Sequence, residues 1–526
     1  MNPKHSLFVL FSLFVFSAFA QRNVVLIIAD DLGTDYLGFY ENHLDTVNAP
    51  NIRRLLDRGV RFTNAWAAPV CSPTRAGILT GRYAFRTGVG QAIGGDSPEL
   101  DTSEITIPKL LNRFSPNGIA KANIGKWHLQ KLSPLHYTFP NKMGYDHYEG
   151  NFSGGLGSYT DWSKVKNGAV SKVTTYATTE TVNNAISWVK AQNKPFFLWL
   201  AFNAPHTPYH LPPSNLHAYK NLSGTQSDIA ANPKSYFKAM TEALDTEIGR
   251  FLDTLRALNQ WENTDIIFIG DNGNSPTVAQ DAGGAKGTLD EGGIRVPFLI
   301  SGPSVTRPGR TSDALVNVQD LFATILELFG YTQWPAQIPA SKPVDSKSLL
   351  PLLKDQSGEV RSWAFSEMFS IPVQPEDGKT IRNKEYKLLA FDDGTQQFFH
   401  LASDPAESVN LLTGKMTAAA QSNYNALCAE MGNLLGNARY CQLATASATL
   451  LPEGRRPVIY PNPVTGYLNI LNAPDGAHAR IFNSLGRLVF ESAGPPPFNI
   501  SALPAGVYFL NLTGRNEEVI KFVKNG

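Results

Sequence analysis

The sequence predicts an α/β fold, a mixed sheet flanked by helices, followed by a smaller antiparallel α+β unit and a terminal β-sandwich. Three observations carry this expectation. Near-continuous apolar runs at 23–30 (NVVLIIAD), 195–202 (PFFLWLAF), 265–270 (DIIFIG) and 296–301 (VPFLIS) have the pattern of strands buried on both faces. Helical periodicity fills the intervals at 52–58, 107–114, 179–191 and 233–258, so strand and helix alternate. Past residue 361 the pattern changes to short strands (WAFSEM, EYKLLAF, QQFFHL) closed by an amphipathic stretch at 417–435.

The chain of 526 residues is longer than one small core organises, and its ends read differently from its middle. Residues 1–20 have the form of a secretory signal: Lys4 and His5, an apolar run at 7–16, then Ala18-Phe19-Ala20 as the cleavage site, so the mature chain is expected to begin at Gln21. No cysteine follows that site, which speaks against a lipid anchor, and no later apolar stretch is long enough to span a bilayer. The expected units are a main α/β domain at 21–360, an α+β subdomain at 361–441, a small, polar, aperiodic linker at 442–457 (QLATASATLLPEGRRP), and a region of short strands and turns at 458–526.

Hydrophobic content of 42 % with 17 % charged residues excludes a largely disordered chain, and a net charge of +1 gives no electrostatic case for nucleic acid, which is not expected as a partner. Three cysteines in an exported protein leave an odd one over. Cys428 and Cys441 are expected to form a disulfide, and Cys71, far upstream, is the residue set apart.

Asp30-Asp31 follows the first predicted strand and Asp271-Asn272 follows the one at 265–270. Sites in open α/β sheets form at the carboxyl ends of strands, and three carboxylates with an amide oxygen suit a hard cation, calcium or magnesium. Each pair taken alone would equally suit a turn or a helix cap. Cys71-Ser72-Pro73-Thr74-Arg75 stands just before a predicted helix, with Pro73 suited to its first turn, which places Cys71 where backbone N–H groups favour an anion.

That pentad, C-x-P-x-R, continues as AGILTGR to Arg82 and resembles the signature of the sulfatase family of the alkaline phosphatase superfamily. Four further elements match. Residues 118–128 (GIAKANIGKWH) follow the family's second signature, departing from it at Ile119 and Lys121. Ala204-Pro205-His206-Thr207-Pro208 and Gly284-Ala285-Lys286-Gly287, the latter ahead of EGGIRVP at 291–297, are similar to its third and fourth. His400-Leu401, Asp404-Pro405, Glu407 and Asn410-Leu411 resemble its closing motif, so the likeness spans roughly 22–435. Isolated histidines and lysines are usually satisfied or solvated, and His210, two residues past the third motif, has no such support.

The resemblance implies an alkaline-phosphatase-like domain that hydrolyses a sulfate ester, with a sulfated glycan as the expected substrate. It implies oxidation of Cys71 to formylglycine by a formylglycine-generating maturation enzyme, and a Ca2+ (or Mg2+) ion held by Asp30, Asp31, Asp271 and Asn272 together with residue 71. Arg75 would hold the formylglycine, Lys126 and Lys286 would neutralise sulfate oxygens, and His128 would take a proton. Either His206 or Lys286 would protonate the departing alcohol. Two rivals stand beside this reading: a phosphoester or phosphonate hydrolase on the same scaffold, and a catalytically silent surface protein that binds sulfated glycans.

The tail, with YPNP at 460–463, LGR at 485–487 and LPAGVY at 503–508, resembles the C-terminal sorting domain of the type IX secretion system, with a β-sandwich carbohydrate-binding module as the rival. The resemblance implies export through the periplasm of a Gram-negative bacterium by the type IX secretion machinery, to the medium or the outer cell surface. The sequons at Asn151, Asn221, Asn499 and Asn511 would then be chance matches.

Overall fold

A computed structural model describes residues 22–440 and 458–525, apart from 42, 96, 117, 281–283, 372, 375, 437–439, 461–462, 472–477, 484–486, 494–495 and 514–517. The expected signal segment, the expected linker and Cys441 lie outside the described residues. Cys428 itself is buried in the helix Ala418–Leu435.

The main sheet has ten strands: β1 (Asn23–Ala29), β2 (Gly59–Trp66), β3 (Ala120–Gly125), β4 (His147–Gly150), β5 (Trp162–Lys166), β6 (Ala169–Val173), β7 (Phe196–Ala201), β8 (Thr264–Gly270), β9 (Phe298–Ser301) and β10 (Arg310–Asn317). Their spatial order is β10-β2-β9-β8-β1-β7-β3-β4-β5-β6. β8, β1, β7, β3 and β4 run parallel to one another, and β9 enters antiparallel between β8 and β2.

β1 shows why such apolar runs form. Val24, Leu26 and Ile28 face one core, packed with helices Ile107–Phe114 and Asp320–Leu328, while Val25, Ile27 and Ala29 face another, under helices Ala177–Lys190 and Pro233–Ala257. All six are wholly buried. Each large side chain so buried contributes roughly 1.5–3 kcal/mol, so a charge anywhere in this run would break the centre of the sheet. The helix expected at 52–58 is shorter, Pro50–Arg53 and then a 3-10 turn at Leu56–Arg58, because β2 begins at Gly59.

A second, antiparallel sheet contains β11 (Ala364–Met368), β12 (Gly378–Arg382), β13 (Tyr386–Phe391) and β14 (Gln396–His400), covered by the helix Ala418–Leu435. The sequence predicts three of these strands and misses β12. Three of its five residues, Lys379, Thr380 and Arg382, are polar, yet all five are buried, Lys379 facing Glu367 and Arg382 facing Glu291. A strand buried by charge pairing carries no apolar signal. In the tail, β15 (Val458–Tyr460), β16 (Tyr467–Leu471) and β19 (Phe498–Asn499) form one antiparallel sheet, and β17 (His478–Asn483), β18 (Leu488–Ala493), β20 (Gly506–Thr513) and β21 (Glu518–Lys524) another. Leu468, Ile470, Ile481, Leu510 and Phe522 share one core between them, a β-sandwich. Among the described residues no helix is long and apolar enough to cross a membrane.

Candidate active site

The register of the parallel block builds the site. Ala29 pairs with Gly270, so β1 and β8 end level and Asp30 emerges beside Asp271. Gly125 pairs with Ala201, so β3 and β7 also end level, delivering Lys126 and His128 from one and His206 from the other. β2 points the same way and leads into the helix Cys71–Thr80. Lys286 arrives from the connection between β8 and β9. Ten candidate residues from six segments thus reach one edge of the sheet, the carboxyl edge where open α/β folds place their sites.

Close backbone approach is part of the construction. Gly125 has φ +106° and a Cβ there would lie 1.8 Å from the Ala201 carbonyl oxygen, so only glycine lets the Lys126 N–H reach that oxygen at 2.8 Å. Gly154 lies flat on the His128 ring, where a Cβ would meet Cε1 at 2.4 Å. Asp31 and His128 are themselves left-handed, at φ +61° and +55°, a conformation that costs non-glycine residues energy and clusters at functional sites.

Three carboxylates face three cations. The Lys126 Nζ donates to Asp30 Oδ2 at 2.6 Å and the Lys286 Nζ to Asp31 Oδ1 at 2.6 Å. Arg75 donates to Asp271 Oδ2 through Nη2 (2.7 Å) and Nε (3.1 Å), and through Nη1 to the Lys126 carbonyl (3.1 Å). Asn272 Nδ2 donates to Asp31 Oδ1 at 2.8 Å, which turns its carbonyl oxygen away from Asp31. Burial alone would raise the pKa of Asp30, but Lys126 and His206 hold it below the usual carboxylate value. Burial would lower that of Lys286, and Asp31 with its neighbours raises it instead. Asp30 and Lys286 are thereby each held in the charged form by a neighbour of opposite sign.

Two buried oxygens remain without a donor: Asp30 Oδ1 and Asn272 Oδ1. Oxygens left bare in a wholly buried cluster are costly unless something else takes them. Ligand atoms of Asp30, Asp271 and Cys71 lie within 4.8 Å of one another, as do those of Asp30, Asp31 and His206. This donor set, rich in carboxylate and amide oxygen, fits a hard divalent cation.

Cys71 is the first residue of its helix, and Arg75 stands one turn along on the same face. The Sγ marks where the oxygens of an oxidised residue 71 would begin. It lies 3.1 Å from His128 Nδ1, while His128 Nε2 is 3.0 Å from the Ile93 carbonyl. A carbonyl only accepts, so Nε2 carries the proton and Nδ1 presents a lone pair to residue 71. Burial, reinforced by Lys126, pushes the His128 pKa down to about 3 and keeps the ring neutral. His206 has the converse arrangement. Its Nδ1 lies 2.8 Å from the Thr207 carbonyl, leaving Nε2, 3.7 Å from Asp31 Oδ2, as the atom that can gain or lose a proton.

His210 is not among them. Its ring packs on Tyr159 at 4.2 Å, and its nitrogens engage the Pro208 carbonyl and the Tyr176 hydroxyl. The sequence reading missed three supports. Ser72 Oγ donates to the His128 carbonyl at 2.8 Å and accepts from the Ile93 N–H, and the Tyr159 hydroxyl lies 2.7 Å from the carbonyls of both Asn203 and His206. Ser72 was legible inside the pentad, whereas Ile93 and Tyr159 come from segments without a motif.

Three stretches of the chain match models of known protein families. Residues 22–331 match the family model of the sulfatases, 285–434 that of the N-sulphoglucosamine sulphohydrolase C-terminal region, and 458–525 that of the secretion system C-terminal sorting domain. Human N-acetylgalactosamine-6-sulfatase is 31 % identical over 375 residues, a match covering 63 % of this chain and 65 % of that protein's length. The sulfatase YdeN of Escherichia coli K12 is 28 % identical over 480 residues, covering 75 % and 83 %. The crystal structure of Ps i-CgsB in complex with k-i-k-neocarrahexaose superposes with a TM-score of 0.65 at 26 % identity, over 79 % of this chain and 92 % of that one. The fold is the alkaline-phosphatase-like one of such structures, and with more than half its length under one family model this chain belongs to the sulfatase family.

Proposed function

We propose that this chain is an exported sulfatase that hydrolyses sulfate esters of a glycan, using a divalent cation held by Asp30, Asp31, Asp271 and Asn272 and a formylglycine derived from Cys71. The observation that carries the reading is the pair of bare oxygens, Asp30 Oδ1 and Asn272 Oδ1, in a buried cluster that already matches three carboxylates with three cations. What a divalent cation supplies there is net positive charge, which polarises a nucleophile and favours a sulfate monoester. What formylglycine supplies is a hydrated aldehyde, two hydroxyls on one carbon, one to attack and one to release its proton later.

The remaining work falls to side chains. Lys126 and Lys286, held by Asp30 and Asp31, neutralise sulfate oxygens. Arg75 fixes Asp271 and the residue beneath the helix start. His128, neutral with Nδ1 toward residue 71, accepts the proton from that side chain. His206 is the better donor to the leaving alcohol, because the Lys286 Nζ is held on Asp31 Oδ1 at 2.6 Å while His206 Nε2 stands 3.7 Å from Asp31 Oδ2, beyond hydrogen-bond range. A glycan is supported by the name of the human relative and by the oligosaccharide bound to Ps i-CgsB. The sorting-domain match supports release at the outer surface by the type IX machinery.

The test pairs peptide mass at position 71 with the rate on a sulfate ester, across preparations oxidised to different extents by the maturation enzyme. Rate should rise in proportion to the aldehyde fraction, and Cys71→Ala should be folded and inactive. A rate independent of that fraction would overturn the mechanism.

A further inference from the structure

Lys286 sits on a loop, and a loop side chain is placed only as well as its backbone is anchored. On one side the anchors are local: the Lys286 N–H donates to the Asn274 carbonyl at 2.8 Å and the Gly287 N–H to the Pro69 carbonyl at 2.9 Å, the latter two residues before Cys71. On the other side they come from the second sheet. Leu289 is buried among Met368, Leu389, Phe399 and Leu401. The loop then enters the short helix Glu291–Ile294, whose first N–H, on Glu291, donates to Glu407 Oε2 at 2.6 Å.

Glu407 is itself fixed. Its Oε1 lies 2.6 Å from the Nζ of Lys387, a wholly buried ammonium on β13 that is also 3.5 Å from Glu291 Oε1. The Glu291 carboxylate accepts from Trp66 Nε1 at 2.9 Å and Arg382 Nη1 at 3.2 Å. Glu407, at φ +56°, adopts the left-handed backbone that turns its side chain inward from an otherwise exposed segment. An ionic network this deep is a poor source of stability, since desolvating each charge costs several kcal/mol and apolar packing would join the elements as well. What it adds over apolar packing is a fixed point: the direction of one N–H at the end of the Lys286 loop.

We propose that Glu407, held by Lys387, is a positioning residue for Lys286: the second sheet clamps the loop so that the ammonium stands at the sulfate subsite. The proposal rests on the reading of Lys286 as a sulfate contact. It also gives the closing motif, which touches no reacting group, a part in turnover.

The experiment is a double-mutant comparison on the full-length, oxidised protein with 4-nitrophenyl sulfate as probe. Glu407→Ala should lower kcat/KM about 10- to 100-fold, as a displacement of about 1 Å does, and Glu407→Gln less, because the amide oxygen still accepts the Glu291 N–H. In a Lys286→Ala background the same changes should cost less than about twofold, since there is no ammonium left to misplace. A second readout needs no activity: trypsin should cut after Lys286 at least about fivefold faster in the Glu407 variants, at temperatures where each remains folded. Equal losses in both backgrounds, or unchanged cleavage, would overturn the clamp alone. Full activity of Lys286→Ala would overturn the reading of Lys286, and the clamp with it. If Glu407→Ala does not fold, Glu407→Gln carries both measurements.

Discussion

At the strand ends Asp30, Asp31 and Asp271 are matched by Lys126, Lys286 and Arg75, yet Asp30 Oδ1 and Asn272 Oδ1 have no donor. In the cluster around Glu291 and Glu407, each of the four carboxylate oxygens has a cation or an N–H within 3.2 Å. Both clusters are buried, and in both carboxylates face basic side chains. Buried charge alone therefore does not mark the candidate site in this protein, and neither does a missing hydrogen bond, since Glu407 Oε1 also lacks one; but Glu407 Oε1 has the Lys387 Nζ 2.6 Å away, whereas Arg75 Nη2 stands 3.9 Å from Asp30 Oδ1. The Glu291–Glu407 cluster closes its carboxylates on its own cations and N–H groups at short range, whereas the strand-end cluster leaves two oxygens open to a ligand.

The sharpest way to break that comparison is to remove the cation. Asp271→Ala should lower kcat/KM by about 10³-fold or more, and chelation should do the same to the unaltered protein, with calcium or magnesium restoring it. Binding should also stabilise: at 100 times its Kd a cation adds about 2.7 kcal/mol, a rise of a few degrees in Tm that Asp271→Ala should lack. Full turnover of thoroughly chelated protein would show that the bare oxygens are not ligands.

The two clusters also differ in how far the sequence discloses them. Asp30, Asp31, Asp271 and Asn272 are legible because each pair closes an apolar run, and Cys71 through Arg75 because the pentad and its continuation to Arg82 resemble the sulfatase signature. Glu407 and Lys387 belong to segments whose purpose depends on what they meet across the chain, and no local pattern states that the Glu291 N–H needs an acceptor. β12 is hidden for the same reason, its burial depending on Glu367 and Glu291, more than ten residues and more than eighty residues away in sequence. Periodicity reports apolar faces; it is silent about faces buried by charge pairing.

A smaller effect separates His206 from Lys286. A nitrophenolate leaves without help, whereas a sugar alkoxide needs a proton as it departs. His206→Ala should therefore cost roughly 10²-fold or more on a carbohydrate sulfate and less than about tenfold on 4-nitrophenyl sulfate. Lys286→Ala should cost about the same on both, because neutralising sulfate oxygens does not depend on the leaving group. The opposite pattern would exchange the two roles.

The smallest effect belongs to stability and to the second sheet. Glu367 is raised from its ordinary 4.5 to about 7, first by burial, with Asp345 and Asp392 adding to it and Lys379 and the Phe85 N–H opposing. The folded protein then holds a proton on Glu367 at pH values where the unfolded chain has lost it. Because the folded state binds more protons between about 4.5 and 7, stability should fall as pH rises through that window and level off above it. Glu367→Gln keeps an acceptor for the Phe85 N–H, which is 2.7 Å from Oε1, and removes the titration. The variant should match the unaltered protein near pH 5 and exceed it by about 1–2 kcal/mol at pH 8, after allowing for relaxation around the ionised carboxylate. Thermal midpoints of both proteins, measured at intervals from pH 5 to 8, provide the check. Parallel profiles would mean that Glu367 stays ionised throughout, held by Lys379 at 3.9 Å.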